Sequence, residues 1–328
     1  MIANVAGFGL IAVEKKAGRV VFLDPATLGC TTILDGLPPK PHELLIPPRS
    51  AKAYVPIFGD GIHGDNPNPG NTIAVIDLAE RRLVRLIDIS PYKAPHTARL
   101  GANGLIYCCC EASGAVVVID PARDVMVGAI AIGSTNVHRL ATVPGRDRLV
   151  TEAEEDGLLS LVAFKGSHGS VIRELTVPGG TNGIAAAPTR PLVLATAGDS
   201  PRLHLVDRDD FTLTRTIALP GHRQKGQIVR YRPDGEIVAV IGNFDPVASF
   251  YDADLNHLFT AQAGEKPLDG AFSPDGQTFL VCNEDSDTTS VIDLRTGQTR
   301  EHVAVDCGFE VMAYFPLPPA SHTRHLPR

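Results

Sequence analysis

The chain reads as an all-β protein: a single seven-bladed β-propeller, four antiparallel strands per blade, with the last blade built from the N- and C-terminal strands together. Three observations lead there. Short β-branched runs are parted by Gly, Pro and Asp clusters, and no helical period is sustained. Four signals recur in fixed order at a spacing of roughly 41–45 residues, the length of a four-stranded blade. The repeats amount to six complete units plus fragments at both termini that make a seventh.

Each unit opens on an apolar run that ends in a turn, as at Ser273-Pro274-Asp275-Gly276 or Arg232-Pro233-Asp234-Gly235, where Pro presets one dihedral and Asp and Gly accept the others. A second run follows, as at Tyr54-Val55 and Leu280-Val281. A third ends on Asp: Asp24, Asp77, Asp120, Asp207, Asp252 and Asp293. A polar turn such as Leu294-Arg295-Thr296-Gly297 leads into a short fourth run. The third complete unit departs from this order, with Ala163-Phe164-Lys165 where the Asp belongs. Complete units begin near Pro41, Pro95, Asn136, Thr181, Gly226 and Pro267. The chain starts with only three runs (10–14, 19–24 and 31–35) and ends with one (309–315). Joined, they close the ring and remove the sheet edges that an open array would expose. One domain therefore spans 1–316, and a Pro- and His-rich tail, 317–328, is expected to be loose.

These units resemble the YVTN/YncE-like β-propeller repeat family. The residues that carry the resemblance are Ala53-Tyr54-Val55, Ile106-Tyr107-Cys108, Ser273-Pro274-Asp275-Gly276, Val118-Ile119-Asp120-Pro121 and Val291-Ile292-Asp293-Leu294. It covers nearly the whole chain, although no unit carries the full Tyr-Val-Thr-Asn string. It implies the fold. Propellers similar to it include lactonases, lyases, oxidases and binding modules, so function has to be argued from the site.

Composition narrows the function classes. A hydrophobic content of 44% with 31 Gly and 26 Pro suits a compact all-β body. A net charge of −7 argues against a nucleic-acid surface. No apolar stretch is long enough to span a membrane. No basic residue precedes the first apolar ones, so no signal peptide is read and a cytoplasmic location is expected. Cys108, Cys109 and Cys110 are adjacent in one strand, with Cys30, Cys282 and Cys307 scattered. This is no disulfide framework. Strand alternation sends neighbouring thiols to opposite faces, so the triplet cannot clamp one ion.

One repeat position stands out. His42, His96 and His138 each lie six residues before the Pro, or its stand-in, of the first turn. The same position holds Asn182, Gln227, Leu268 and Glu310 in later units. A position kept for packing would hold one residue type. This one reads as a ring of side chains at the upstream end of the channel-lining strands. Glu310, His42, His96 and His138 come from four consecutive blades, and three imidazoles with a carboxylate suit a divalent transition metal, with Mn, Fe or Zn expected. Asn182 and Gln227 face them across the axis as substrate contacts, and Arg139 is expected to attract an anionic small-molecule substrate. Glu43, beside His42, is expected to point to the other side of its strand.

Two further features bear on catalysis. The first complete unit carries a long insertion, Gly59 to Asn71, stiffened by prolines and bearing His63, which is placed to reach the metal or the substrate. Acidic residues recur after the second run: Glu14, Glu111, Glu152 and Glu284. Glu152 or Glu111 is expected as general base or acid beside a metal. Gly179-Gly180-Thr181-Asn182-Gly183 joins two strands and opens no helix, so it is no phosphate cradle. No Gly-x-Ser-x-Gly elbow occurs. The expected function is a metal-dependent hydrolase of lactonase type, or a lyase, acting on a small organic acid derivative. The alternatives are a nonhaem-metal oxidase or oxygenase with the same ligands, and a noncatalytic propeller that binds a ligand or a protein.

Overall fold

In the seventh sheet the two ends of the chain meet. Val311–Pro316 pairs with Phe8–Glu14, which pairs with Arg19–Leu23 and then Cys30–Leu34. The register sets Leu10 against Tyr314 on one side and against Leu23 on the other. This is blade 7 of a seven-bladed β-propeller, seen in a computed structural model that describes residues 5–318. The tail expected at 317–328 lies, beyond Pro318, outside the described residues.

Blades 1 to 6 follow in chain order, each antiparallel and each innermost at its first strand. Blade 1 has three regular strands, Lys52–Gly59, Pro69–Asp77 and Arg82–Asp88. Its innermost position is held by a proline-rich segment tied on by bridges from Pro41 to Ile57 and from Leu45 to Tyr54. Prolines at 38, 39, 41, 47 and 48 have no N–H to give a ladder. His42 and Leu45 still donate to the carbonyls of Pro56 and Tyr54, and the carbonyls of Lys40 and Leu45 accept from Phe58 and Tyr54.

The second strand of a blade is buried on both faces because neighbouring blades sandwich it. Ile106–Cys110 is buried throughout. Its thiols divide as alternation requires: Cys108 and Cys110 pack toward Tyr54 and Val75 of blade 1, and Cys109 toward Leu149 and Val162 of blade 3. All six cysteines are free. Outer strands such as Arg82–Asp88 are largely exposed.

The recurring Asp has a local cause. Its Oδ1 accepts an amide hydrogen bond from the residue two further on and, in four of the six, also from the third, as Asp77 does from Ala79 and Glu80 and Asp293 from Arg295 and Thr296. The turn then passes through a left-handed residue: Leu28, Arg81, Asp124, Phe211 and Leu255, with Gly at 297. Blade 3 lacks the Asp because its strand Leu158–Lys165 runs on to a tight hairpin, pairing Lys165 with His168 around Gly166 at φ 61°. No helix among the described residues is long and apolar enough to cross a membrane.

Candidate metal centre

The repeat position of His138 sits in a β-bulge. In blade 3 the ladder shifts between Val137 and Arg139, leaving His138 outside the register. The same break falls between Pro95 and Ala98, Thr181 and Ile184, Gly226 and Ile228, and Pro267 and Gly270. Each break contains the variable residue of its blade: His96, Asn182, Gln227 or Leu268. A bulge bends its strand and re-aims a side chain, here toward the shared channel. The blades crowd together at this level. A Cβ on Gly183 would collide with the Gln227 carbonyl, so glycine is needed there.

Four imidazoles form a row across blades 1 to 3. Ring centroids are 4.2 Å apart from His42 to His96, 4.2 Å from His96 to His138, and 4.1 Å from His138 to His63, the last pair stacked. All but His63 are buried. His63 arrives from the insertion, whose free part is 60–68 because Gly59 already pairs with Pro69.

The imidazoles predicted to be neighbours are neighbours, but the ligand atoms gather at one end of the row. His63, His138 and Glu154 each offer a ligand atom within 4.8 Å of the others, the one such group among the described residues. The expected quartet of His42, His96, His138 and Glu310 is not such a group. Glu310 closes the far end, with Oε1 3.1 Å from His42 Nδ1 and Oε2 3.3 Å from Lys15 Nζ. His96 Nε2 lies 2.9 Å from His138 Nε2, so one ring donates and the other accepts.

Glu154 was not singled out in the sequence, and the register explains why. Pro95 pairs with Cys110 in blade 2 and Val137 with Ala153 in blade 3. The counterpart of Glu111 is therefore Glu154, not Glu152. Glu284, which follows Asn283 opposite Pro267, completes the set. Glu14 is one residue out, and Lys15 takes that position. Glu152 points the same way as Glu154 but one pleat deeper. It has no exposed surface, accepts from Thr181 Oγ1 at 2.8 Å and lies 3.4 Å from His138 Nδ1. It backs His138 and cannot meet a substrate. Glu111 braces His63, with Oε2 2.9 Å from Nδ1, and accepts from the Gly64 amide. Glu155, also unforeseen, stands half-exposed 2.6 Å from His63 Nε2.

Glu154 is the junction. Its Oε2 is 2.9 Å from His138 Nδ1 and 3.6 Å from His63 Nε2, and Lys225 Nζ reaches its other oxygen at 3.2 Å. The Asn182 amide lies 3.1 Å from both Glu154 oxygens and 2.8 Å from Gln227 Oε1. Asn182 and Gln227 thus face the imidazoles as expected, with Asn243 extending the arc at 2.8 Å from Gln227 Oε1.

Charge at this mouth is polarised. Burial lowers the pKa of His42, and burial with the neighbouring imidazoles lowers that of His96, so both are neutral. Burial disfavours a charged His63, yet Glu111 and then Glu154 and Glu155 outweigh it and raise its pKa to about 9. Burial likewise opposes ionisation of Glu154, but His138, His63 and Arg139 bring it to about 2. The carboxylates hold a proton on His63 where a cation fits.

Two expectations change below this layer. Glu43 does not turn away from the channel. It is buried in it, with Oε1 3.0 Å from Thr97 Oγ1 and Oε2 3.4 Å from Arg99 Nη1. The residue after the variable position enters the channel in blades 3 and 6 as well, at Arg139 and Asp269. Arg139 is buried as well, donating to the Asn182 carbonyl at 3.2 Å and facing Glu43 at 3.8 Å. It sits beneath the histidines rather than at the open mouth.

No family model matches the chain, and no curated protein matches it by sequence. Solved structures do match its shape. A functionally unknown protein from Desulfotomaculum acetoxidans superposes with a TM-score of 0.77 at 12% identity over 94% of this chain and 99% of its own. The periplasmic gluconolactonase of Pseudomonas aeruginosa gives 0.76 at 16% identity over 95% and 99%. Kuenenia stuttgartiensis hydrazine synthase gives 0.72 at 15% over 87% and 92%. At these identities the likeness shows the fold alone.

Proposed function

We propose that the chain is a metal-dependent hydrolase of small anionic organic acid derivatives, lactones foremost, with the ion held at the axial mouth by His63, His138 and Glu154. The observation that carries this reading is the convergence of those ligand atoms within 4.8 Å. The closest approaches point to His63 Nε2, His138 Nδ1 and Glu154 Oε2. Each ligand is fixed from behind: His63 Nδ1 by Glu111, His138 Nε2 by His96, and Glu154 by Lys225 and Asn182. Such outer partners set the tautomer and orientation of metal ligands. Three protein ligands leave coordination positions open, the mark of a catalytic rather than a structural site.

A bound divalent ion would supply Lewis acidity to a substrate carbonyl. The chain's own groups do the rest. Glu155, half-exposed beside His63, accepts the proton of the attacking water. Asn182, Gln227 and Asn243 offer amides to the hydroxyl or carboxylate oxygens of the substrate. Lys225 and Lys15 line the same mouth, each paired with a carboxylate, Glu154 and Glu310. The likeness to a gluconolactonase supports the reaction class by fold analogy only.

The test is metal analysis of protein purified without a histidine tag, alongside proton release from a panel of lactones. One divalent ion per chain, with hydrolysis lost on chelation and restored by the ion, is the expected result. A chain that takes up no stoichiometric divalent ion on reconstitution overturns the reading.

A further inference from the structure

A second repeat position breaks its pattern at the opposite mouth. Four residues after the bulged position, blades 1 to 4 carry Ile46, Leu100, Thr142 and Ala186, while blades 5 to 7 carry Tyr231, Phe272 and Tyr314. All three rings are half-buried, and they line one cavity of about 780 Å³. That volume falls within the range of small-molecule sites, about 300–1,000 Å³. The cavity lies at the downstream ends of the innermost strands, beside the Pro-Asp-Gly turns, on the face opposite the histidines. Room beside the rings comes from Ala271 and Ala313. They stand where blades 2 and 5 place Arg99 and Arg230.

The floor of the cavity is charged. Arg230 gives Nε and Nη2 to Asp269 and lines the cavity, as does the carboxylate of Asp275. Behind it, three guanidinium groups (Arg99, Arg139 and Arg230) share two carboxylates, Glu43 and Asp269. Arg139 Nη1 is buried without a hydrogen bond. Arg232 and Asp234 at the rim are paired with each other and cancel.

We propose that this mouth is a second ligand site, independent of the metal reading, that takes an aromatic carboxylate. Its ring would lie against the arc of Tyr231, Phe272 and Tyr314, and its carboxylate would accept from Arg230 Nη1. Aromatic stacking selects the ring, and a charge-assisted hydrogen bond selects the anion.

Benzophenone-4-carboxylate serves as both ligand and photolabel, with 4-benzoylbenzyl alcohol as the uncharged control. On the wild-type chain, saturable labelling is expected in peptides containing 230–234, 270–277 and 312–314. The alcohol should label at least about tenfold more weakly, as loss of a charge-assisted bond requires. Ala271→Phe and Ala313→Phe fill the cavity and should suppress labelling, whereas His63→Ala should leave it intact. Labelling that does not saturate, that maps to the histidine mouth, or that is equal for the alcohol overturns the site. So does labelling that persists in either folded filling variant. The wild-type map stands even if a filling variant fails to fold.

Discussion

Replacing Glu154 by Gln removes one negative charge from the point where two imidazoles meet and changes the shape of the side chain very little. The carboxylate is ionised at neutral pH, since His138 and His63 outweigh burial and hold its pKa at about 2. It touches His138 Nδ1 at 2.9 Å and Lys225 Nζ at 3.2 Å, with His63 Nε2 at 3.6 Å. Outer partners of metal ligands are worth about 10–100-fold in affinity. Loss of a direct carboxylate ligand should therefore cost at least ~100-fold, or ~2.7 kcal/mol. The assay is competition against a chelating indicator, for Zn and Mn in turn, with metal-free melting curves to confirm the fold. Glu155→Gln is the control. That carboxylate is 55% exposed and outside the converging group, so affinity should stay within about fivefold, as for an exposed ion pair. Hydrolysis should nevertheless fall in Glu155→Gln, because the proton acceptor is gone. If Glu154→Gln binds metal as tightly as the wild type, the assignment of ligands is wrong.

Three more outcomes follow. His63→Ala, or removal of residues 60–68, should lower metal affinity and substrate turnover together, because the insertion supplies a ligand; unchanged metal content in an equilibrium dialysis would remove His63 from the ligand set. His96→Ala should weaken metal binding by ~10–100-fold through His138 Nε2 while the metal-free chain still folds; circular dichroism and metal titration check both halves, and a chain that no longer folds would make His96 structural. Tyr54→Phe removes a hydroxyl that donates to Asp124 Oδ1 at 2.7 Å between blades 1 and 2. It should cost ~1–2 kcal/mol, a melting shift of about 1.5–3 °C for a chain of this length, with no change in metal content; an unchanged melting point would show that Lys52 Nζ, 2.6 Å from Asp124 Oδ2, satisfies Asp124 alone.

The wheel itself was legible in one dimension. Its evidence is local and repeated: Pro-Asp-Gly turns, an Asp that captures two amides, and alternation that buries a strand on both faces. Seven such units can only close one way, so even the sharing of the last blade by residues 8–34 and 311–316 followed from counting. The histidine arc was legible too, because a packing position would not hold His, Asn, Gln, Leu and Glu in turn. Which atoms meet was not. The turn from Thr142 to Leu149 is one residue longer than that from Leu100 to Ile106, and that extra residue makes Glu154, not Glu152, the counterpart of Glu111. Glu43 turns inward against the alternation rule, as Arg139 and Asp269 do one residue after their own variable positions. The insertion carries His63 across from blade 1 to stack on His138 of blade 3, a contact between residues 75 apart whose distance no repeat encodes. Periodic local chemistry determines the frame, whereas the positions of a few atoms at the axis depend on how all seven blades press together.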